Sequence, residues 1–308
     1  MIVLVTGASG FIGRRLVARL IADGAQVRAM VLPGEDVTGL PELALPGVTV
    51  VRADVTDPAS LTAVVPGAQR VYHLAAVVGD WGPEERFRRV NVEGTRNVLD
   101  AAAAAGVERV LMVSSIVVYG WQLHDGGCDE ELGRREHGVG PYSRTKRASE
   151  ELALDYHAMG RVPVTVVRPG NVYGPRSSLW VDEAVKLLQK RAPAWLGDGS
   201  GDATLAYVDN VVDVIARAAT SPAAAGRIYN VNDGGGVSWR RYMTDLAALA
   251  GAPAPRRSLP LAVARALAPV METAWRVGRR RSRPLLTRET VVILGSGLAE
   301  RSGFFAAA

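Results

Sequence analysis

Short β-branched runs alternate with longer stretches of helical periodicity through the first two thirds of the chain. The strand-like runs are Ile2–Val5, Gln26–Val31, Val48–Arg52, Arg70–Leu74, Arg109–Val113 and Val164–Arg168. Between them the spacing predicts helices around Phe11–Ala22, Pro58–Val65, Glu84–Ala105 and Pro141–Met159. Several strands are apolar at nearly every position, as expected where helices cover both faces of a parallel sheet. Strand–helix alternation of this kind predicts an α/β fold, a doubly wound parallel (Rossmann) sheet. After Pro169 the alternation loosens and Pro, Gly and Trp become frequent, which predicts a smaller C-terminal substrate lobe. The division expected is 1–174 for the sheet domain, with 204–231 returning to it, and 175–203 plus 232–308 for the lobe. An amphipathic stretch, Leu259–Val277, reads as a packed helix rather than a membrane anchor.

Composition narrows the classes. The chain has 308 residues, a formal charge of +5 and one cysteine, Cys128, so an internal disulfide is excluded. The apolar start is too short for a signal peptide, and no run reaches the roughly 18 apolar residues of a membrane span, so a cytoplasmic protein is expected. Arginines gather at Arg276, Arg279, Arg280, Arg281 and Arg283, read as a solvated loop because no nucleic-acid fold signature accompanies them. His124, His137 and His157 share no metal-ligand spacing with a carboxylate or cysteine, so no metal is expected.

Chemistry is concentrated at two places. Gly7, Gly10 and Gly13 stand where the first strand turns into a helix. There a glycine permits the tight turn, a second admits a pyrophosphate to the backbone, and a third lets helix and sheet approach. The helix N-terminus adds free N–H groups and partial positive charge for a diphosphate. Past the second strand neither an acid nor a cation stands at the tip, which leaves NAD or NADP with a lean to NAD because no well-placed cation is visible. Asp54 either accepts from an adenine amino group or caps a turn, Asn91 either braces the cofactor region or satisfies backbone, and His73 reads as a hydrogen-bonded core histidine. Further on, Tyr142 and Lys146 are four apart at the start of a helix and so share a face. A neighbouring ammonium would favour the phenolate and lower the phenol's pKa toward that of a working general acid–base. Ser114-Ser115 closes the fifth strand, on the edge where open α/β sheets bind ligands, and offers a hydroxyl to the substrate oxygen.

With these motifs on one chain, the sequence resembles the extended short-chain dehydrogenase/reductase family (NAD-dependent epimerase/dehydratase-like). The resemblance runs from Thr6-Gly-Ala-Ser-Gly-Phe-Ile-Gly13 through Asp54-Val55, His73-Leu-Ala-Ala76, Asn91-Val-Glu-Gly-Thr95, Tyr142-x-x-x-Lys146 and Arg168-Pro-Gly-Asn-Val-Tyr-Gly-Pro175 to Tyr207-Val-Asp-Asn210. It implies Ser115, rather than Ser114, as the catalytic hydroxyl beside Tyr142 and Lys146. The cofactor contacts it implies are Ser9, Phe11, Ile12, Leu32, Val55, Leu74, Ala75, Ala76, Asn91 and Val113, with Pro169, Gly170, Asn171 and Val172 beside the nicotinamide. Thr204-Leu-Ala-Tyr-Val-Asp-Asn and Pro284-Leu-Leu-Thr-Arg288 are most similar to the 3β-hydroxysteroid dehydrogenase and dihydroflavonol-reductase-like branch.

The function so implied is NAD(P)-dependent interconversion of a secondary alcohol and a ketone on a fairly apolar alicyclic or aromatic small molecule. A nucleotide-sugar epimerase with tightly bound NAD is the alternative, and a non-catalytic dinucleotide sensor a third. Ile116 and Val117 stand where the family's sugar dehydratases carry an Asp-Glu pair, which argues against that elimination. A homodimer through the helices at 84–105 and 141–159 is also implied, and the C-terminus departs from the family's usual ending.

Overall fold

The computed structural model describes residues 1–125, 128–130, 138–190, 194–234, 236–280 and 282–295. In chain order the elements begin with β1 (Ile2–Thr6), α1 (Phe11–Ala22), β2 (Gln26–Val31), β3 (Val48–Arg52), α2 (Pro58–Val64) and β4 (Arg70–His73). There follow α3 (Glu84–Phe87), α4 (Gly94–Ala104), β5 (Arg109–Val113), α5 (Gln122–Asp125), α6 (Pro141–Ala158) and β6 (Val164–Pro169). The later part holds β7 (Asn171–Tyr173), α7 (Glu183–Gln189), β8 (Ala194–Leu196), β9 (Leu205–Tyr207), α8 (Val208–Thr220) and β10 (Ile228–Val231). Last come α9 (Trp239–Leu249), β11 (Arg257–Leu259), α10 (Leu261–Val277) and α11 (Arg288–Leu294).

Seven strands form one sheet in the order β10-β6-β5-β4-β1-β2-β3, every pair parallel. The order reverses between β1 and β4, and ligands bind outside the carboxyl ends of strands at such a switch point. The apolar strands explain the two-sided cover. Val3, Val5, Val27 and Leu111 pack with α1 and α8 on one face, while Leu4, Val71, Val110 and Met112 pack with α2, α4 and α6 on the other. The predicted helix 84–105 is continuous in direction but passes through a wider π turn at Arg88–Glu93 between α3 and α4. The returning strand is β10, hydrogen-bonded to β6 with Ile228 opposite Val166.

Two small parallel pairs, β7 with β9 and β8 with β11, lie outside the main sheet. The stretch Leu259–Val277 forms α10, which buries only the narrow face of Ala264, Ala268 and Glu272. Among the described residues no helix is long and apolar enough to cross a membrane. The atypical tail after residue 295, Arg281 and His137 lie outside the described residues.

Candidate active site

The turn from β1 into α1 is built as glycine requires. Gly7 has φ +67°, and a Cβ there would stand 2.9 Å from the Ala75 amide nitrogen. A Cβ on Gly13 would stand 2.1 Å from the Gly7 carbonyl oxygen, so the helix can pass this closely only without a side chain. The N-cap, Gly10, has no side chain to cap the helix, and no acidic residue occupies the first turn. Helix N–H groups left without such an acceptor fit an anionic diphosphate. Ser9, Phe11 and Ile12 form the rim of this turn. Across the switch point, the buried Thr6 hydroxyl accepts from the amides of Leu74 and Ala75 at 3.2 and 3.1 Å, which fixes the Leu74–Ala76 segment beside the glycine turn.

His73 is held between two hydroxyls, Thr6 Oγ1 at 2.9 Å and Thr95 Oγ1 at 2.9 Å. Thr95 spends its proton on the Asn91 carbonyl, so the ring donates through Nε2 and accepts at Nδ1. Burial, and then the Lys146 charge, push the imidazole down to about 3, so it is a neutral core histidine, as the sequence reading held. Asn91 is buried and spans three partners: its amide oxygen accepts from Val77 N–H, and its nitrogen donates to the Val77 carbonyl and to Thr145 Oγ1. It therefore ties the loop after β4 to α6.

The Asp54 carboxylate accepts from the Thr56 amide and hydroxyl at 2.8 and 2.9 Å, which is turn-capping geometry. Val55 is buried, and Gly94 comes so close that a Cβ would stand 2.7 Å from its Cγ2. Leu32, at the tip of β2, is exposed, with its amide on the Glu35 carboxylate and its carbonyl on Arg52. Gly170 lies 2.2 Å, measured from an ideal Cβ, from the Thr204 carbonyl oxygen. The Asn171 side chain donates to the Ala203 carbonyl at 2.7 Å, so this asparagine secures the segment Pro169–Val172.

Ser115, Tyr142 and Lys146 converge at the C-terminal edge of β5. Ser115 is the N-cap of the turn Ile116–Tyr119, and its hydroxyl interacts with the Tyr142 phenol. Lys146 is buried with Nζ donating to the Val113 carbonyl at 2.6 Å. Burial lowers this ammonium to about 8, against the opposing pull of Glu150. The phenol, however, departs from expectation. It is raised above its ordinary 10, first by burial and then by the Glu289 carboxyl, with Ser115 alone pulling it down. The Lys146 charge goes to a backbone carbonyl, and so the helix spacing that aligns Tyr142 with Lys146 does not by itself acidify the phenol.

Three residues were not foreseen. Glu150, wholly buried, accepts from Ser114 Oγ at 2.7 Å and Arg168 Nε at 3.0 Å, and pairs again with Arg168 Nη2. Arg168, 1% exposed, also donates to the Tyr119 hydroxyl at 2.6 Å. Asp80 receives Arg283 through Nε, Thr287 and Thr290. Burial pushes Asp80 up, but the Arg283 and threonine hydrogen bonds outweigh it and hold the carboxyl below its usual range. The arginine run is thus more than a solvated loop: Arg283 is a clamp, and Arg276 lies 5.5 Å over the Trp81 ring.

This combination of a seven-stranded parallel sheet, an uncapped glycine turn at its switch point and a serine, tyrosine and lysine at the next strand end defines a dinucleotide-dependent enzyme. The description "NAD dependent epimerase/dehydratase family" matches residues 3–232, and the chain belongs to that family, whose members use a nicotinamide dinucleotide. The chain is 30% identical over 94% of its length to 2-alkyl-3-oxoalkanoate reductase of Stenotrophomonas maltophilia (strain K279a), covering 87% of that protein. It is 32% identical over 98% of its length to UDP-glucose 4-epimerase of Mycolicibacterium smegmatis (strain ATCC 700084 / mc(2)155), covering 97% of it. Among solved structures, MoeE5 in complex with UDP-glucose and NAD superposes with a TM-score of 0.71 at 30% identity, over 84% of this chain and 85% of that one.

Proposed function

We propose that the protein is a ketoreductase that interconverts a secondary alcohol and a ketone on a fairly apolar small molecule, with Ser115, Tyr142 and Lys146 as its catalytic residues. The observation that carries this reading is the convergence of Tyr142 with Ser115 at the sheet edge, with the Lys146 ammonium one helical turn along the same face. Bound at the glycine turn, the dinucleotide supplies or takes the hydride. Tyr142 gives its phenolic proton to the substrate oxygen in reduction and recovers it in oxidation. Ser115 donates a hydrogen bond to the same oxygen as charge develops on it. Lys146, held on the Val113 carbonyl, keeps a positive charge beside the reacting groups and is placed to hold the nicotinamide ribose. Gly7, Gly10 and Gly13 would take the diphosphate, and Pro169–Val172 would line the nicotinamide. The lean to NAD stands.

Likeness to the 2-alkyl-3-oxoalkanoate reductase supports reduction of an apolar ketone. Trp180, tilted against Trp239 at 5.3 Å, with Tyr242 and Tyr173 beyond, forms an aromatic cluster suited to such a substrate. The full-length likeness to a UDP-glucose 4-epimerase supports a second reading, in which NAD is retained and not consumed. A panel of alicyclic ketones and hydrophobic 3-oxo esters, assayed with NADH and NADPH, separates the two: ketoreduction oxidises the cofactor stoichiometrically, whereas epimerisation of a UDP-sugar leaves it unchanged. Tyr142→Phe is expected to lose about 100- to 10,000-fold in kcat. Wild-type turnover by that variant would refute the assignment.

A further inference from the structure

The helix that carries Tyr142 begins with only half a capping box: the Ser143 hydroxyl accepts from the Gly140 N–H at 3.0 Å, but the N-cap offers nothing in return to the Ser143 N–H. Its N-cap, Gly140, has no side chain, and the acceptor for the first turn comes from a distant element: Glu289 of α11 accepts the Ser143 N–H through Oε1 at 2.8 Å. Glu289 is 2% exposed, and its other oxygen, Oε2, is enclosed with no hydrogen-bond partner among the described residues. That oxygen points at the start of α6, since a Cβ on Gly140 would stand 2.0 Å from it. Gly140 is therefore required there because Glu289 fills the space of a side chain.

We propose that Glu289 is a positioning residue for Tyr142, fixing the first turn of α6 and setting a carboxylate against the phenol that faces Ser115. The inference rests on the reading of Tyr142 as the acid–base residue. A carboxylate close to a phenol opposes its ionisation, because two like charges in an enclosed place repel. The groups facing Glu289 are Ser143 and Arg144 of α6, which favour its anion, and Asp80 of the loop after β4, which opposes it. Asp80 is itself paired with Arg283 and bonded by Thr287 and Thr290. Burial and Asp80 together push the Glu289 carboxyl up to about 8, so its charge changes within the working range of an enzyme. Because ketone reduction needs the phenol and alcohol oxidation the phenolate, the Glu289 charge extends reduction to higher pH and moves the acidic limb of oxidation upward by the same amount.

Glu289→Gln tests this with little change of shape, since the amide oxygen still accepts from Ser143 N–H. In the variant the alkaline limb of kcat/KM for ketone reduction is expected to move down by about one pH unit. Spectrophotometric titration of tyrosinate, with Tyr142→Phe as the subtracted reference, should show the same phenol ionising earlier by a similar amount. Glu289→Met removes the acceptor as well, and is expected to add a loss of thermal stability to the same movement of the limb. A uniform fall in rate with the limb in place would make Glu289 a structural cap only and overturn the proposal, as would an unchanged profile. Should Tyr142→Phe turn over normally, the acid–base reading itself fails, and that outcome is distinct from a null result at Glu289.

Discussion

Two buried carboxyls bear on α6, one carried by the helix itself and one brought to its first turn by α11, and they are solved in opposite ways. Behind the helix, toward the sheet, Glu150 has both oxygens engaged, by Ser114 and by a two-point Arg168 pair. In front, reached from α11, Glu289 has one oxygen on a backbone N–H and the other without a hydrogen-bond partner among the described residues. A buried charge is tolerated when it is paired and hydrogen-bonded, and otherwise the group tends to keep its proton. The rear site is accordingly a fixed ionic joint between α6, β5 and β6, whereas the front site is poised between two charge states. The same side chain chemistry thus becomes framework on one side of Tyr142 and adjustable on the other.

The largest effect should come from breaking the joint. Arg168→Met strands Glu150 in the interior, and a loss of about 3–5 kcal/mol in unfolding free energy is expected from urea titration. An unchanged midpoint would put Glu150 in the same class as Glu289.

Next in size is the pH dependence of stability. A carboxyl raised to about 8 in the fold from 4.5 in the open chain holds an extra proton when folded, so its contribution to stability declines as pH rises across that interval. His73, lowered to about 3 from 6.5, works in the other sense but is finished by 6.5. Lys146, lowered to about 8 from 10.5, adds stability only above 8. Between pH 6.5 and 8, then, Glu289 governs, and stability should fall by on the order of 2 kcal/mol. Glu289→Gln should flatten that segment when melting is followed across it.

The smallest effect concerns the element that carries Glu289. Thr287 caps α11 by accepting from the Thr290 amide at 3.0 Å and also donates to Asp80. Thr287→Ala should cost about 1 kcal/mol. It should also loosen the front site while leaving the Glu150 joint as it was, which amide hydrogen exchange at Ser143 and Ser114 distinguishes.

The rear and front sites also differ in what sequence alone discloses. The strands on which Ser115 and Arg168 ride were legible because β-branched residues crowd them, and the glycine turn because three glycines stand between a strand and a helix. The alignment of Tyr142 with Lys146 followed from helical spacing. Neither carboxyl site followed in that way. Glu150 and Arg168 sit on different elements and meet only when α6 lies across the sheet. Glu289 reaches Ser143 across 146 positions, and Arg283 reaches Asp80 across 203. No local pattern marks such pairs, and the expectation of an acidified phenol failed first because the phenol is buried and then because the charge that bears on it, that of Glu289, comes from a distant element. A buried acid following Thr287-Arg288 in an apolar helix was the one available signal, because a carboxyl among Val291 and Val292 needs a partner somewhere.

The Asp80–Arg283 clamp has an outcome during synthesis. Domains tend to fold as the chain emerges, amino end first. Every strand of the main sheet lies before residue 232, so the dinucleotide cradle can assemble while the ribosome is still working. The loop bearing Asp80 and the opening turn of α6 stay unfastened until Arg283 and Glu289 arrive. A product stalled before Arg283 would on this account retain the cradle yet leave the opening turn of α6 without its Glu289 acceptor.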